Sequence, residues 1–285
     1  AAGFIEGVQS MGVGTSIKHF CANSQETRRM TCDSVVDERA LREIYLTAFE
    51  IAVKKAKPWT VMNSYNKING AHGSENKHTQ IEILRDEWGF DGVVVSDWGA
   101  VNNRVLGLKN GNDLEMPSSA GSGAKKIVEA VKSGELDEAV VNERALNVLN
   151  LIKKAADGAK PGYEYNDADD QPLARKIAGQ SMVLLKNDGA ALPLAAAAKI
   201  ALMGPLADNG EDLLGSWYGR GRGGEVTTVR QGLEKTFGHI AYWGGASFET
   251  APTPKELKAA CTLAAKSDAV VLCLGEKRRW SGENA

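Results

Sequence analysis

Acidic, basic and aromatic side chains stand where short apolar runs end. Lys18-His19 follows Ile17, Met62-Asn63-Ser64-Tyr65 follows Val61, Asp97-Trp98 follows Val95-Ser96, and Asp113-Leu114-Glu115 comes shortly after Leu108. A carboxylate beside a Trp at a strand end has a definite chemistry. The aromatic face packs on the apolar face of a sugar ring while the carboxylate reaches the anomeric carbon. The position equally suits Asp97 as a helix cap or as the partner of Arg104, and Lys18-His19 as an incidental strand-end pair. Singly, each signal is weak.

The elements that would position these groups read as βα units carrying a parallel sheet, in which functional side chains gather at strand carboxyl ends. Thr60–Met62 and Val93–Val95 are too short for helices and end in polar residues. Ahead of the first of them, Asp37 can cap a helix whose apolar residues Leu41, Ile44, Tyr45, Ala48, Phe49 and Ala52 keep the helical period. Further helices are predicted through Ile81–Leu84 to a stop near Gly89, over Ala124–Lys132, and from about Asn142 to about Ala156. The stretch 157–172 is poor in apolar residues and reads as a linker. Beyond it a helix over Leu173–Met182 leads to Val183-Leu184-Leu185. Strand-like runs at Lys199–Met203, Ile240–Trp243 and Ala269–Leu274 then alternate with helices near Val229–Phe237 and Lys255–Ala265, a second α/β unit.

The chain has 285 residues, 43% hydrophobic and 25% charged, with a formal net charge of −2. That balance speaks against nucleic acid as the main partner, which demands a basic face. No apolar run is long enough to cross a bilayer and no basic-then-apolar leader opens the chain. Cys21, Cys32, Cys261 and Cys273 show neither CxxC nor zinc spacing, so reduced thiols and a cytoplasmic home are favoured, with a secreted or periplasmic one left open because the chain starts without Met. His72, His78 and His239 form no ligand spacing, so no metal and no cofactor is implied. Gly219-Arg220-Gly221-Arg222-Gly223-Gly224 follows no buried strand and no Walker lysine-serine pair follows it. A mobile loop, a candidate lining of the sugar pocket, fits it better. Lys277-Arg278-Arg279 reads as a solvated face.

Taken together, the segments resemble glycoside hydrolase family 3, the β-glucosidase-like enzymes. The resemblance rests on Lys18-His19-Phe20 with Asn23 and Glu26, on Val61-Met62-Asn63-Ser64-Tyr65-Asn66 with Asn69-Gly70, and on Leu84-Arg85 with Glu87-Trp88-Gly89-Phe90-Asp91-Gly92. It continues through Val95-Ser96-Asp97-Trp98-Gly99-Ala100, Asp113-Leu114-Glu115-Met116-Pro117, Val183-Leu184-Leu185-Lys186-Asn187, Leu192-Pro193-Leu194 and Gly204-Pro205. It ends at Gly275-Glu276 with Trp280-Ser281-Gly282-Glu283.

The resemblance implies the C-terminal part of a TIM-type (β/α)8 barrel over 1–156, the linker 157–172, and part of an α/β sandwich over 173–285. It also implies a retaining exo-β-glycosidase, with two carboxylates about 5 Å apart across the scissile bond. By motif match Asp97 is the nucleophile, ionised in a polar hydrogen-bonded setting, and Glu283 the acid/base. Lys18 and His19 match the pair that bonds the hydroxyls of the non-reducing-end sugar, Met62 and Tyr65 flank the nucleophile, and Trp98 walls the sugar subsite. Arg28 is a weaker candidate, because the adjacent Arg29 could take its role. Asp113 and Glu115 are rival carboxylates read as a structural cluster, and Glu276 rivals Glu283 but fits a strand end.

The implied substrate is a small oligosaccharide or an aryl or alkyl β-glucoside, with β-xylosides and α-arabinosides as alternatives on the same scaffold. The N-acetylglucosaminidase branch is disfavoured, since Cys21-Ala22-Asn23-Ser24-Gln25-Glu26 holds no Pro-Gly-His-Gly. The family's first barrel strands, with an Asp and an Arg that grip the sugar, are expected to be missing, and the chain stops two residues after Glu283. Open strand edges and an exposed core face are association hazards. The rival reading is therefore a non-catalytic fragment or scaffold piece that folds with a partner or as a homo-oligomer.

Overall fold

The computed structural model describes residues 1–245 and 247–282. The chain divides into two compact units, the first over Ala1–Asn166 and the second from Asp167 onward. The first unit carries β1 (Ser16–Phe20), β2 (Asp33–Ser34), β3 (Thr60–Asn63), β4 (Lys67–Ile68), β5 (Ala71–His72) and β6 (Val93–Val95). β1, β3 and β6 form a parallel sheet in that order, with Ile17 opposite Val61 and Val61 opposite Val94. Leu114 bridges to Val95 and extends the sheet by one contact. β2, β4 and β5 make a small separate sheet beside it.

Helices cover the parallel sheet, so its strands are apolar without alternation. Val93, Val94 and Val95 are all buried, and Phe20, Leu41, Leu46, Val61, Ile83 and Leu84 share the core with them. Phe20 meets Phe49 and Trp88 edge-on, with ring centroids 5.2 and 6.0 Å away. Asp37 caps the first large helix by accepting the Ala40 N–H at 2.9 Å, as its position predicts. That helix runs on through a π-helical stretch, Leu41–Leu46, into Thr47–Ala56. The Thr47 hydroxyl donates to the carbonyls of Arg42 and Glu43 at the junction. The helix His78–Glu87 stops at Gly89, whose φ of 70° is the left-handed conformation that ends helices.

The long helix Glu138–Gly158 starts earlier than its period predicts. Asp137 caps it by accepting the Ala139 N–H, and Val140 and Val141 pack on the cluster of Val105, Leu108, Ala130 and Leu136. Adjacent β-branched residues obscured that start in the sequence. The helix Asp167–Ser181 also begins earlier than predicted, with Pro172 inside it, so helix occupies part of the stretch read as linker. Val183, Leu184 and Leu185 are exposed and form no strand.

In the second unit β7 (Ile200–Met203), β8 (Ile240–Trp243) and β9 (Ala269–Leu272) form a parallel sheet in the order β8-β7-β9. The central strand is wholly buried. Gly204 ends it with φ 106°, and a Cβ there would lie 2.2 Å from the Cys273 carbonyl oxygen. Only glycine lets the chain leave β7 this close to the segment after β9. Both units are thus α/β around a three-stranded parallel sheet; the described sheets close neither a barrel nor a sandwich.

Candidate active site

β1, β3 and β6 end side by side, and their carboxyl ends bring His19, Asn63 and Asp97 together. Val95 passes directly into Ser96, whose N–H donates to the Leu114 carbonyl and whose hydroxyl accepts the Met116 N–H at 2.8 Å. Those bonds pin the turn that carries Asp97. Its N–H donates to Asn63 Oδ1 at 3.3 Å, its Oδ1 accepts the Trp98 N–H at 2.7 Å, and the Tyr65 hydroxyl donates to the Trp98 carbonyl at 2.9 Å. Tyr65 therefore braces the segment through its backbone.

The other carboxylate oxygen makes no hydrogen bond. Asp97 Oδ2 is buried without a hydrogen-bond partner among the described residues, and His19 Nε2 stands 3.4 Å from it. Neither structural alternative for Asp97 holds. Asn103, not Asp97, caps the helix Arg104–Lys109 by accepting the Leu106 N–H, and Arg104 faces Glu115 and the carbonyls of Asn112 and Asp113. A buried carboxylate oxygen left unpaired costs stability, so the arrangement suits an oxygen that reacts.

Burial lowers the His19 pKa from its ordinary value; Asp97 pulls it upward, while Lys18 and Arg29 push it further down. The imidazole is therefore neutral at pH 7, able to donate or accept one hydrogen bond. Lys18 is exposed in the middle of β1. Arg29, rather than Arg28, is the arginine held at this site: its guanidinium lies 4.7 Å from the Tyr65 ring centroid and pairs with Glu26 at 2.5 Å. Arg28 is turned to solvent with φ 57°. Met62 is buried in β3, whereas Trp98 is 51% exposed and offers a flat apolar face next to the carboxylate. Charged and neutral donors, one carboxylate oxygen that makes no hydrogen bond and one aromatic face suit a polyhydroxylated ring.

Asn63 carries more of this site than its place in a motif suggests. It is fully buried, its carbonyl oxygen holds the Asp97 backbone, and among the described residues its Nδ2 has no hydrogen-bond partner. The rival carboxylates are occupied. Asp113 accepts the Val94 N–H at 2.6 Å, Arg85 at 2.6 Å and Asn147 at 2.9 Å, with Arg144 3.5 Å away. Glu115 accepts from Ser119 at 3.1 Å. Glu276 is exposed after β9, and Glu283 lies outside the described residues. Burial pushes the Cys21 thiol up to about 12, which removes it as a nucleophile.

The basic run is a solvated face only in part, with Arg279 71% exposed but Lys277 only 17%. Lys277 and Arg279 both reach Glu249, and Arg278 pairs with Glu211 at 2.7 Å. The Gly-rich run packs on the helix Gly210–Leu213, where a Cβ on Gly210 would lie 2.2 Å from the Gly223 carbonyl oxygen. Among the described residues, no cluster of three or more His, Cys, Asp or Glu side chains is placed to hold a metal, and no helix is long and apolar enough to cross a membrane.

Comparison with known proteins places these features in context. The signature described as Glycosyl hydrolase family 3 N terminal domain matches residues 1–151, and that of the Glycosyl hydrolase family 3 C-terminal domain matches 182–285. Thermostable beta-glucosidase B of Acetivibrio thermocellus is 55% identical over 204 residues, 72% of this chain and 27% of that protein. An exo-alpha-(1->6)-L-arabinopyranosidase of Bifidobacterium longum is 47% identical over 218 residues, 73% of this chain and 28% of that one. The structure of beta-glucosidase 3B from Thermotoga neapolitana in complex with glucose superposes with a TM-score of 0.83 at 36% identity, covering 97% of this chain and 42% of that one. The chain thus spans about a quarter of the length of the curated relatives it matches.

Proposed function

The chain belongs to glycoside hydrolase family 3, and from that premise we propose that it acts as a retaining exo-β-glycosidase on terminal β-D-glucosyl residues. The observation that carries the reading is the buried Asp97 Oδ2 after β6, which has no hydrogen-bond partner among the described residues and only His19 beside it. On this reading Asp97 attacks the anomeric carbon and forms a glycosyl-enzyme ester. Glu283, by motif match, protonates the departing oxygen and then takes a proton from the water that cleaves the ester. His19, Lys18 and Arg29 donate to sugar hydroxyls, and Trp98 stacks on the ring. Asn63 and Tyr65 fix the backbone on either side of the nucleophile, which keeps its attack angle from drifting. The three-stranded sheet of the first unit is read as part of a (β/α)8 barrel, and that of the second as part of an α/β sandwich.

The glucosyl preference is supported by the named glucosidase relative and by the glucose complex of the structural neighbour. The 47% identity to an arabinopyranosidase supports a second reading, cleavage of α-L-arabinopyranosides by the same two carboxylates. Hydrolysis of p-nitrophenyl β-D-glucoside and p-nitrophenyl α-L-arabinopyranoside, with Asp97→Asn in parallel, tests both. Release of nitrophenol that falls about a thousandfold or more in the variant is expected for loss of a covalent nucleophile. Activity that survives the substitution refutes the role of Asp97.

A further inference from the structure

The segment Lys277–Ser281, immediately before Glu283, is tied down from two sides inside the second unit. On one side, Lys277 and Arg279 both bond Glu249, Lys277 sits 5.3 Å over the Phe248 ring, and Trp280 meets Phe248 edge-on at 5.6 Å. On the other, the Arg278 N–H donates to Asp212 Oδ1 at 3.1 Å, its guanidinium pairs with Glu211, and it lies 4.7 Å over the Tyr218 ring. Exposed ion pairs of this kind contribute little singly. A tether from a small, half-buried side chain is a more specific device, and Ser216 supplies one.

Ser216 Oγ donates to the Arg278 carbonyl at 2.6 Å and lies 2.7 Å from Ser281 Oγ. A serine hydroxyl has one proton, so with Arg278 as its acceptor the Ser281 hydroxyl is the donor in the second bond. The two bonds bracket the short turn Arg278–Trp280. Gly282 follows with φ 122°, a glycine conformation, and a Cβ there would stand 3.7 Å from Ser216 Cβ. One side chain therefore fixes both ends of the turn and lies beneath the residue that precedes Glu283.

We propose that Ser216 is a positioning residue for the acid/base, locking the turn 278–281 that leads to it. The inference rests on the reading of Glu283 as the acid/base. A misplaced acid penalises leaving groups that need a proton and spares those that depart as stable anions. In Ser216→Ala, kcat/KM on methyl β-glucoside or cellobiose falls about tenfold or more, a fraction of what a general acid contributes. On 2,4-dinitrophenyl β-glucoside kcat/KM, which reports formation of the glycosyl-enzyme, changes by less than about twofold. Ser216→Thr, which keeps the hydroxyl, restores most of the lost rate.

Peptide-level hydrogen exchange over residues 277–282 reads the tether without turnover, and it accelerates in Ser216→Ala but not in Ser216→Thr. Equal losses of kcat/KM on both classes of leaving group, or unchanged exchange in Ser216→Ala, overturn the proposal. A parent chain that hydrolyses no β-glycoside overturns the catalytic reading and the positioning role with it, while the exchange experiment still judges the tether by itself.

Discussion

Asp113 and Asp97 are buried carboxylates at neighbouring strand ends, and their environments assign them opposite duties. Asp113→Ala separates those duties. Its side chain is wholly buried and answers three donors, the Val94 N–H, Arg85 and Asn147, with Arg144 3.5 Å away. Arg85 and Arg144 have side chains only 11% and 5% exposed, and Arg144 Nη1 also lies 3.1 Å from Glu143. Burial already lowers the Arg85 pKa, and Asp113 is the main influence opposing it.

Removing Asp113 leaves the buried Arg85 guanidinium without its paired carboxylate and Arg144 with Glu143 alone, a change that costs about 3–5 kcal/mol. At roughly 2–4 °C per kcal/mol for a domain of this size, the unfolding midpoint of the first unit falls by about 6–20 °C. Circular dichroism melts, with glycosidase assays run well below the lowered midpoint, test this. Folded Asp113→Ala keeps the parental kcat within a few fold. Asp113→Asn, which retains an acceptor for the Val94 N–H, loses less stability. A variant with an unchanged midpoint and abolished turnover would refute the reasoning and move the chemistry to Asp113.

Other substitutions probe separate parts of the account. Trp98→Ala raises KM about tenfold or more through lost ring stacking, equivalent to about 1.4 kcal/mol, while the midpoint stays put because the ring is half exposed; an unchanged KM contradicts the stacking role. Asn63→Leu removes the acceptor of the Asp97 N–H and lowers kcat more than it raises KM, which steady-state kinetics check. His78 is clamped between Glu82 at 2.7 Å and Glu38 at 2.9 Å, and these partners raise its pKa above the ordinary 6.5. The folded state then holds a proton that the unfolded state releases. The stability His78 contributes is complete below pH 6.5 and is lost as pH rises through the elevated value. The melting difference between parent and His78→Gln should therefore shrink across that window; a difference independent of pH defeats the argument.

How much of this was legible from residues alone depends on how local each determinant is. Strands β3, β6, β7, β8 and β9 announce themselves as short apolar runs, and Asp37 declares its cap by spacing. Asp97 stands out because a strand end, a carboxylate and a Trp coincide there. Asn63 gives no such sign, since its role is a backbone bond to a residue 34 positions away. Arg28 and Arg29 are indistinguishable until the backbone turns at Arg28. The basic run reads as solvated because its partners are distant in sequence: Glu249 is 28 and 30 positions from Lys277 and Arg279, and Asp212 is 66 from Arg278. Pairing across such separations is a property of the folded sheet and leaves no local pattern.

The central claim is that Asp97 becomes covalently bonded to the sugar. Treatment with 2-deoxy-2-fluoro-β-D-glucosyl fluoride, whose fluorine slows breakdown of the ester, should trap that species. Digestion and mass spectrometry should then place a fluoroglucosyl adduct on the peptide bearing Asp97, in step with the loss of activity. An adduct on Asp113, Glu115 or Glu276, or inactivation with Asp97 unmodified, would contradict the account.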